Sequence, residues 1–343
     1  MTTRPTIRDL ARAAGVSVST VNRVLAGSGS VRRSTAERVH DAARRIGFYG
    51  LGAIEGRLEE TRPRYRFGFL LHQPTRAWYR NLAHALEAAA GRARDREIDV
   101  RIAFAADLSP RNLASTLIEL GEDCEAVGVV AAVHPLVTEA VDTLRRRGVS
   151  VFALISQLSA SGEVPYVGLD SWKVGRTAAW VIANICKTPG ELGILIGSHR
   201  YRCQEMNETG FRSFFREHAP DFTLLEPLST FETTAVAEEM TERLLRDHPD
   251  LAGLYVAGGG ITGAITALRA SGRADRMATV GYELMDVTRA ALLDGVLTVV
   301  LSHPLERVAD AAIAGMTRAC DADLDAGNRT TILPFDIYTR ENV

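Results

Sequence analysis

Val18, Ser19, Asn22 and Arg23 crowd onto one side of a short helical segment. A small, polar, Arg-bearing face of that kind suits insertion into the major groove of DNA. The plainer alternative is a helical hairpin on which Arg23 is a solvated surface residue. Trp78 and Tyr79, with Gln73 just before them, suit a different chemistry. Flat rings cover the C–H face of a sugar while polar groups bind its hydroxyls, so this set fits a carbohydrate-like ligand, or else simple packing. Catalytic signals are missing. No GxGxxG follows the first strand-like run, no Walker sequence occurs, and the histidines form no pair at metal spacing, so neither an enzyme nor a cofactor is expected. Cys124, Cys186, Cys203 and Cys320 are scattered and read as free thiols rather than a disulfide or metal set.

The elements that position the first set are legible. In TIRDLARAAGVSVSTVNRVL, Ile7, Leu10, Ala11 and Ala14 recur at helical spacing behind Thr6 as N-cap and Asp9 in the first turn. Gly15 ends that helix, and Ser17 caps a second one in which Val21, Val24 and Leu25 face inward. Helix, turn and helix within so few residues is a helix-turn-helix. From Ser30, SVRRSTAERVHDAARRIGF places Ser34 and Glu37 in capping-box register ahead of a third helix bearing Val39, Ala42, Ala43 and Ile46.

This segment resembles the DNA-binding headpiece of the LacI/GalR family of bacterial repressors. Carrying the resemblance are Thr6-Ile7 with Asp9, the run Ala14-Gly15-Val16-Ser17, Thr20-Val21, Arg23-Val24-Leu25, and Val31, Thr35, Val39, Ala42 and Gly47-Phe48. It implies that Val18 and Ser19 open the recognition helix and read base edges, with Arg23 further along it. Thr6, Ser17, Thr20 and Asn22 would contact phosphate or neighbouring bases, which positions more than it specifies. The family's hinge helix, with a Leu wedged into the minor groove, finds a poor match in residues 50–65. Gly50-Leu51 replace Pro-Asn, and Gly52 and Gly56 weaken any helix, so the segment reads as a linker. Leu58, beside Arg57, is the nearest wedge candidate, one residue out of register.

The chain has 343 residues, 46% of them hydrophobic, enough for two or three domains. Residues 1–64 hold twelve Arg, no Lys and six Asp or Glu, a formal +6, so the remainder carries −8 within the net −2. A basic head on an acidic body suits a protein that brings one end to DNA. With no membrane-length apolar run and no signal-peptide pattern, a cytoplasmic location is expected.

From Arg66 the pattern changes to short apolar strands alternating with amphipathic helices, as in FGFLL followed by NLAHALEAAAGRARDR. That alternation indicates parallel sheets covered on both faces, and so many strands fit two sheets better than one. Ligands in such lobes bind beyond the carboxyl ends of strands, which is what nominates Gln73, Trp78 and Tyr79. The body resembles the type I periplasmic binding proteins: two Rossmann-like lobes, three crossovers and a cleft. The expected fold is therefore a small all-α helix-turn-helix domain (1–49), a hinge or linker (50–65), and an α/β effector-binding and dimerisation domain (66–343). Its first lobe takes 66–168 and 302–333, its second 169–301 and 334–343.

The resemblance adds further ligand positions. In VGLDSWKVG, Asp170 is an acceptor candidate or a helix cap, and Trp172 closes the cleft or stabilises the crossover. Asn207 stands where the family has a ligand-binding Arg, a role that Arg200, Arg202 or Glu205 could assume. Gly258, within VAGGGITG, replaces an acidic contact; Glu283 stands for the customary Asp and His303 for a common Gln. The three glycines could present backbone N–H groups to an anionic or bulky group, or form a plain turn. The expected function is a transcriptional regulator, a repressor in the family's sense, binding a pseudo-palindromic operator as a homodimer. Its effector would be a sugar, polyol or sugar acid. A transport-type solute-binding protein would need a signal peptide and no headpiece, the reverse of what the sequence has.

Overall fold

The computed structural model describes residues 4–28, 31–60, 62–321 and 330–343. Ser30, ahead of the third helix, and residues 322–329, assigned above to the first lobe, lie outside them. Helix α1 (Ile7–Ala14) begins with a reciprocal cap: Asp9 N–H donates to the Thr6 hydroxyl, and Thr6 N–H donates to the Asp9 carboxylate. Gly15, at φ 65°, ends it in the left-handed conformation that glycine adopts without steric cost. Helix α2 (Val18–Ala26) is opened by the Ser17 hydroxyl, which accepts from Thr20 N–H at 3.2 Å.

Helix α3 (Arg33–Ile46) corrects one expectation. It starts two residues earlier than the Ser34/Glu37 register requires, with Arg32 as an N-cap that makes no side-chain capping bond. Ser34 is therefore inside the first turn. Leu10, Val21, Val24, Val39, Ala42, Ala43 and Phe48 form one small buried core.

Residues 50–65 correct another. Instead of a linker, Leu51–Glu60 form helix α4. Gly52 and Gly56 disfavour it by roughly 1 kcal/mol each relative to Ala. Complete burial of Ile54 in the headpiece core returns about 1.5–3 kcal/mol, and Leu51 and Leu58 pack partly on the same core. Packing thus overrides propensity.

Beyond the headpiece come β1 (Arg64–Leu71), α5 (Ala77–Gly91), β2 (Glu97–Phe104), α6 (Pro110–Leu120) and β3 (Ala126–Val129). Helix α7 (Pro135–Arg146), β4 (Ser150–Leu154) and β5 (Tyr166–Leu169) follow. The next lobe holds α8 (Ser171–Ile185), β6 (Glu191–Ile196), α9 (Arg202–His218), β7 (Thr223–Leu224), β8 (Leu228–Ser229) and α10 (Thr234–Asp247). It continues with β9 (Gly253–Val256), α11 (Ile261–Ser271), β10 (Ala278–Tyr282), α12 (Asp286–Leu293) and β11 (Val299–Ser302). Helix α13 (Leu305–Asp321) and β12 (Thr331–Leu333) return to the first lobe, and β13 (Asp336–Tyr338) goes back to the second.

The first sheet runs β12-β5-β4-β3-β1-β2 and the second β13-β11-β10-β9-β6-β7, with β8 beside β6. Pairing is parallel from β12 to β1 and from β7 to β11; β13 joins β11 antiparallel, at the sheet's edge. Each sheet has apolar clusters on both faces, as parallel pairing demands. The chain crosses between lobes after β5, after β11 and after β12.

The chain divides into two compact units, Met1–Arg64 with Ala93–Glu97, and Tyr65–Arg92 with Ile98–Val343. Among the described residues, no helix is long and apolar enough to cross a membrane.

Candidate functional site

In the headpiece, caps and core fix α2 so that one face stays in water. Val21 and Val24 are buried, while Ser17, Val18, Ser19, Asn22 and Arg23 are exposed and Thr20 is half-buried. Val18, a large apolar residue, is 40% exposed on that face. The Ser17 hydroxyl lies 2.8 Å from those of Ser19 and Thr20, and Arg23 Nε donates to the Ser19 carbonyl at 3.4 Å. Thr6 is exposed, but its hydroxyl donates to Asp9 at 2.7 Å and so belongs to the cap of α1. Arg57 lies over Gly27 and pairs with Glu60 at 2.6 Å; Leu58 is turned partly into the core rather than outward.

The body encloses a cavity of about 690 Å³ between its lobes. Its walls come from loops at the carboxyl ends of strands: residues 72–79 after β1, 155–156 after β4, 201 and 203–204 after β6, 232–235 after β8, 258–262 after β9 and 282–283, 285 and 287 at the end of β10. Trp78 and Tyr79, in the first turn of α5, meet edge-to-face at 5.0 Å, and His72 lies 4.9 Å from Tyr79 and 5.3 Å from Tyr201. Trp78 Nε1 and Tyr282 Oη are buried here and find no hydrogen-bond partner among the described residues. Such atoms cost free energy until something supplies the missing bonds.

Polar bonds tie the lobes together across this cavity. Arg76 Nη1 donates to Glu232 Oε2 at 2.6 Å, and Arg76 Nη2 donates to the Glu232 backbone carbonyl. Gln204 Nε2 donates to the other carboxylate oxygen, Oε1, at 2.7 Å. Tyr201 Oη is 3.3 Å from His72 Nε2, Val133 N–H donates to the Arg200 carbonyl at 2.8 Å, and Cys203 N–H donates to Ser156 Oγ at 3.4 Å. Glu232 has φ 59°, a conformation disfavoured for a side chain of its size. Burial alone would raise its carboxyl pKa, but the Arg76 guanidinium and the Gln204 bond bring it net below the ordinary value. Burial pushes His72 the other way for a base, down to about 4, so the ring is neutral near pH 7.

Of the expected ligand residues, Gln73, Trp78, Tyr79, Gly258 and Glu283 line the cavity. The others do not. Asp170 caps α8 by accepting from Lys173 N–H at 3.2 Å and pairs with the Lys173 ammonium at 3.1 Å. Trp172 lies under the Arg176 guanidinium at 4.7 Å. Arg202 is exposed on the far side of α9, whose neighbours Tyr201, Cys203 and Gln204 face the cavity instead.

Asn207 is fully buried, its amide set among the carbonyls of Ala257, Ser171 and Cys203. It joins α8 to α9, where any side chain on Gly175 or Gly210 would collide with the opposite backbone. His303 stands behind Glu283, with Nδ1 2.5 Å from Oε1 and its backbone N–H donating to Oε2 at 3.1 Å, and it borders a smaller recess at the crossover. These residues hold the lobes and crossovers in place without touching the cavity.

Sequence reasoning missed His72, Arg76, Tyr201, Gln204, Glu232 and Tyr282. His72 and Tyr282 could have been found by asking what stands at the carboxyl end of each recognised strand. Glu232 follows a two-residue strand with no readable pattern. The glycine run acquires a reason, however: a side chain at Gly197 or Gly259 would collide with the Glu232 carboxylate, and one at Gly258 with Gln204. The glycines make room for a buried acid. All four cysteines are free, and no metal-binding cluster occurs among the described residues.

Residues 6–50 match the family described as bacterial regulatory proteins, lacI family, and residues 67–323 match the periplasmic binding protein domain. Residues of the chain are 56% identical over 43 positions to the maltose regulon regulatory protein MalI of Escherichia coli, covering 12% of this chain and 13% of that protein. They are 28% identical over 133 positions to the D-ribose/D-allose-binding protein of Pseudomonas aeruginosa, covering 38% of this chain and 41% of that protein. The chain thus matches well under two thirds of either curated relative. Among solved structures, a solute-binding protein of Actinobacillus succinogenes with bound D-allose superposes with a TM-score of 0.72 at 18% identity, over 81% of this chain and 98% of that one. GanP, a glucose-galactose binding protein of Geobacillus stearothermophilus, gives 0.73 at 15% identity, over 82% and 99%. At those identities the likeness is one of fold.

Proposed function

We propose that this chain, which belongs to the periplasmic binding protein domain family over residues 67–323 and matches the lacI family of bacterial regulatory proteins over residues 6–50, is a cytoplasmic, carbohydrate-responsive transcriptional repressor. The observation that carries the reading is the cavity itself. The rings of Trp78, Tyr79, Tyr201 and Tyr282 stand on its wall among the polar side chains of Gln73, Thr233 and Thr234, the mixture that a hydroxyl-rich ligand needs. The relatives that are named for sugars, or hold them, support the same class. Binding rather than catalysis is the role assigned.

As a homodimer, the protein would place one α2 in each major-groove half-site of a pseudo-palindromic operator. Val18, Ser19 and Arg23 are assigned to base edges, with Ser17, Thr20 and Asn22 on phosphate or flanking bases. Effector binding shifts an equilibrium between body conformations by at most its differential affinity for them, and it changes operator affinity by the same factor as operator changes effector affinity.

The test is thermal unfolding of the protein with a panel of sugars and polyols. A true effector at a hundred times its dissociation constant adds about 2.7 kcal/mol to stability, an upshift of several degrees. The same compound must then change affinity for an operator selected from random DNA. A flat panel, or a binder that leaves operator affinity untouched, would remove the carbohydrate effector from this reading.

A further inference from the structure

Arg76 is the cation among the residues lining the cavity, and its guanidinium is already taken. Its Nη1 lies 2.6 Å from Glu232 Oε2 and its Nη2 donates to the carbonyl of the same residue. The carboxylate side chain is 6% exposed and the guanidinium side chain 22%, so the pair is shielded from water. Glu232 is not a chance neighbour. It is held in a left-handed backbone conformation, its other carboxylate oxygen accepts from Gln204, and it fits only because Gly197 and Gly259 carry no side chains. The other charged side chain on the wall is Glu283, a second acid, held through its carboxylate by Ser302 and His303. His72, neutral at pH 7, offers no compensating charge.

We infer that this cavity takes a hydroxylated ligand carrying no negative charge, neutral or amine-bearing, and rejects sugar acids, because Glu232 neutralises the cavity's Arg76 from across the cleft. The inference rests on the carbohydrate reading above and narrows it. A carboxylate entering the cavity finds its lining cation already neutralised by Glu232 and faces a further acid, Glu283. To reach Arg76 it must displace Glu232, leaving a buried acid held only by Gln204. Breaking a buried ion pair from one side corresponds to about 100-fold or more in affinity. An ammonium group meets the opposite balance and is tolerated. Selectivity then comes from repulsion as much as from attraction.

Calorimetric titration of the full-length protein at pH 7 tests this with D-ribose, D-allose, D-glucose, D-galactose and D-mannose, together with the 2-amino and uronate forms of the last three. The expected result is binding of at least one neutral or amino sugar, with every uronate about 100-fold weaker or worse. A uronate bound within tenfold of the best neutral or amino sugar overturns the inference while leaving the carbohydrate reading intact; no binding by any compound overturns the carbohydrate reading itself. Glu232→Gln supplies a second measurement, since it removes the negative charge from beside Arg76. Uronate affinity relative to that of the bound neutral or amino sugar should rise at least tenfold in the folded variant, and an unchanged ratio overturns the assignment to Glu232. If that variant does not fold, the wild-type titrations decide.

Discussion

On α2 the side chains aimed at a partner stand in water: Val18, Ser19, Asn22 and Arg23 are exposed, and caps and a core behind them hold the helix still. In the cleft the arrangement is inverted. Arg76, Glu232 and Gln204 are withdrawn from solvent and hold one another, and buried His72 is held by Tyr201, so that removing one strands its partner. A surface made to meet a polyanion can keep its charges hydrated until contact, since the phosphates supply the counter-charge. A site made to enclose a small molecule must satisfy its own charges first, because water will not be there to do so. The two regions should therefore respond to substitution in different ways.

The largest difference is expected at the cross-cleft pair. Arg76→Ala leaves the Glu232 carboxylate buried without its cation and should destabilise the body by about 3–5 kcal/mol in urea unfolding. Arg76→Met with Glu232→Leu should recover most of that loss. If Arg76→Ala costs less than about 1 kcal/mol, the cleft is as hydrated as α2 and the contrast fails.

Acid gives the next largest effect, confined to the body. His72 has a folded-state pKa of about 4 against an ordinary 6.5, so between those values the unfolded chain binds the extra proton and stability falls as pH falls. About 2–3 kcal/mol should be lost between pH 7 and pH 4.5. The Glu232 carboxyl, held below its ordinary 4.5, adds a loss below that window. His72→Gln should flatten the upper part of the profile measured by urea unfolding; an unchanged profile would show that His72 is not the group responsible.

Arg23→Ala should weaken operator binding by roughly 1–3 kcal/mol, read by fluorescence anisotropy, without moving the unfolding midpoint. A fall in stability as well would mean that Arg23 is part of the headpiece scaffold. The smallest effect belongs to the cap: Ser17→Ala removes the acceptor for Thr20 N–H and should cost about 1 kcal/mol of headpiece stability. Its operator affinity should fall only as far as the helix frays.

The same contrast governs what could be read from the residues alone. The caps at Thr6 and Ser17, the turn at Gly15 and the inward Val21 and Val24 are local, encoded within a few positions, and all occur in the structure. The long strands were legible from apolar runs for a similar reason, while the lobe to which each belongs was implied only by the family resemblance. Strands β7, β8, β12 and β13 were not, being two or three residues long and too short for any period to show. Helix α4 was masked by its glycines, because the burial of Ile54 that stabilises it depends on a core built by other helices. Arg76 and Glu232 lie 156 positions apart and meet only when the lobes do. Asp170 took the helix cap that was one of its two readings, and Asn207, at a position nominated by a family pattern, donates to the Ala257 carbonyl instead.

Helix α4 also bears on how this polypeptide could be cut and rejoined. Ile54 fills the same core as Leu10, Val21 and Phe48, so a fragment ending near residue 49 would open a hole in its own interior and expose apolar surface to water. A graft of this DNA-binding module onto a foreign sensor should keep the chain through Glu60 and place the seam after it. The natural unit of exchange is a four-helix piece, with its recombination point one helix later than the helix-turn-helix itself implies.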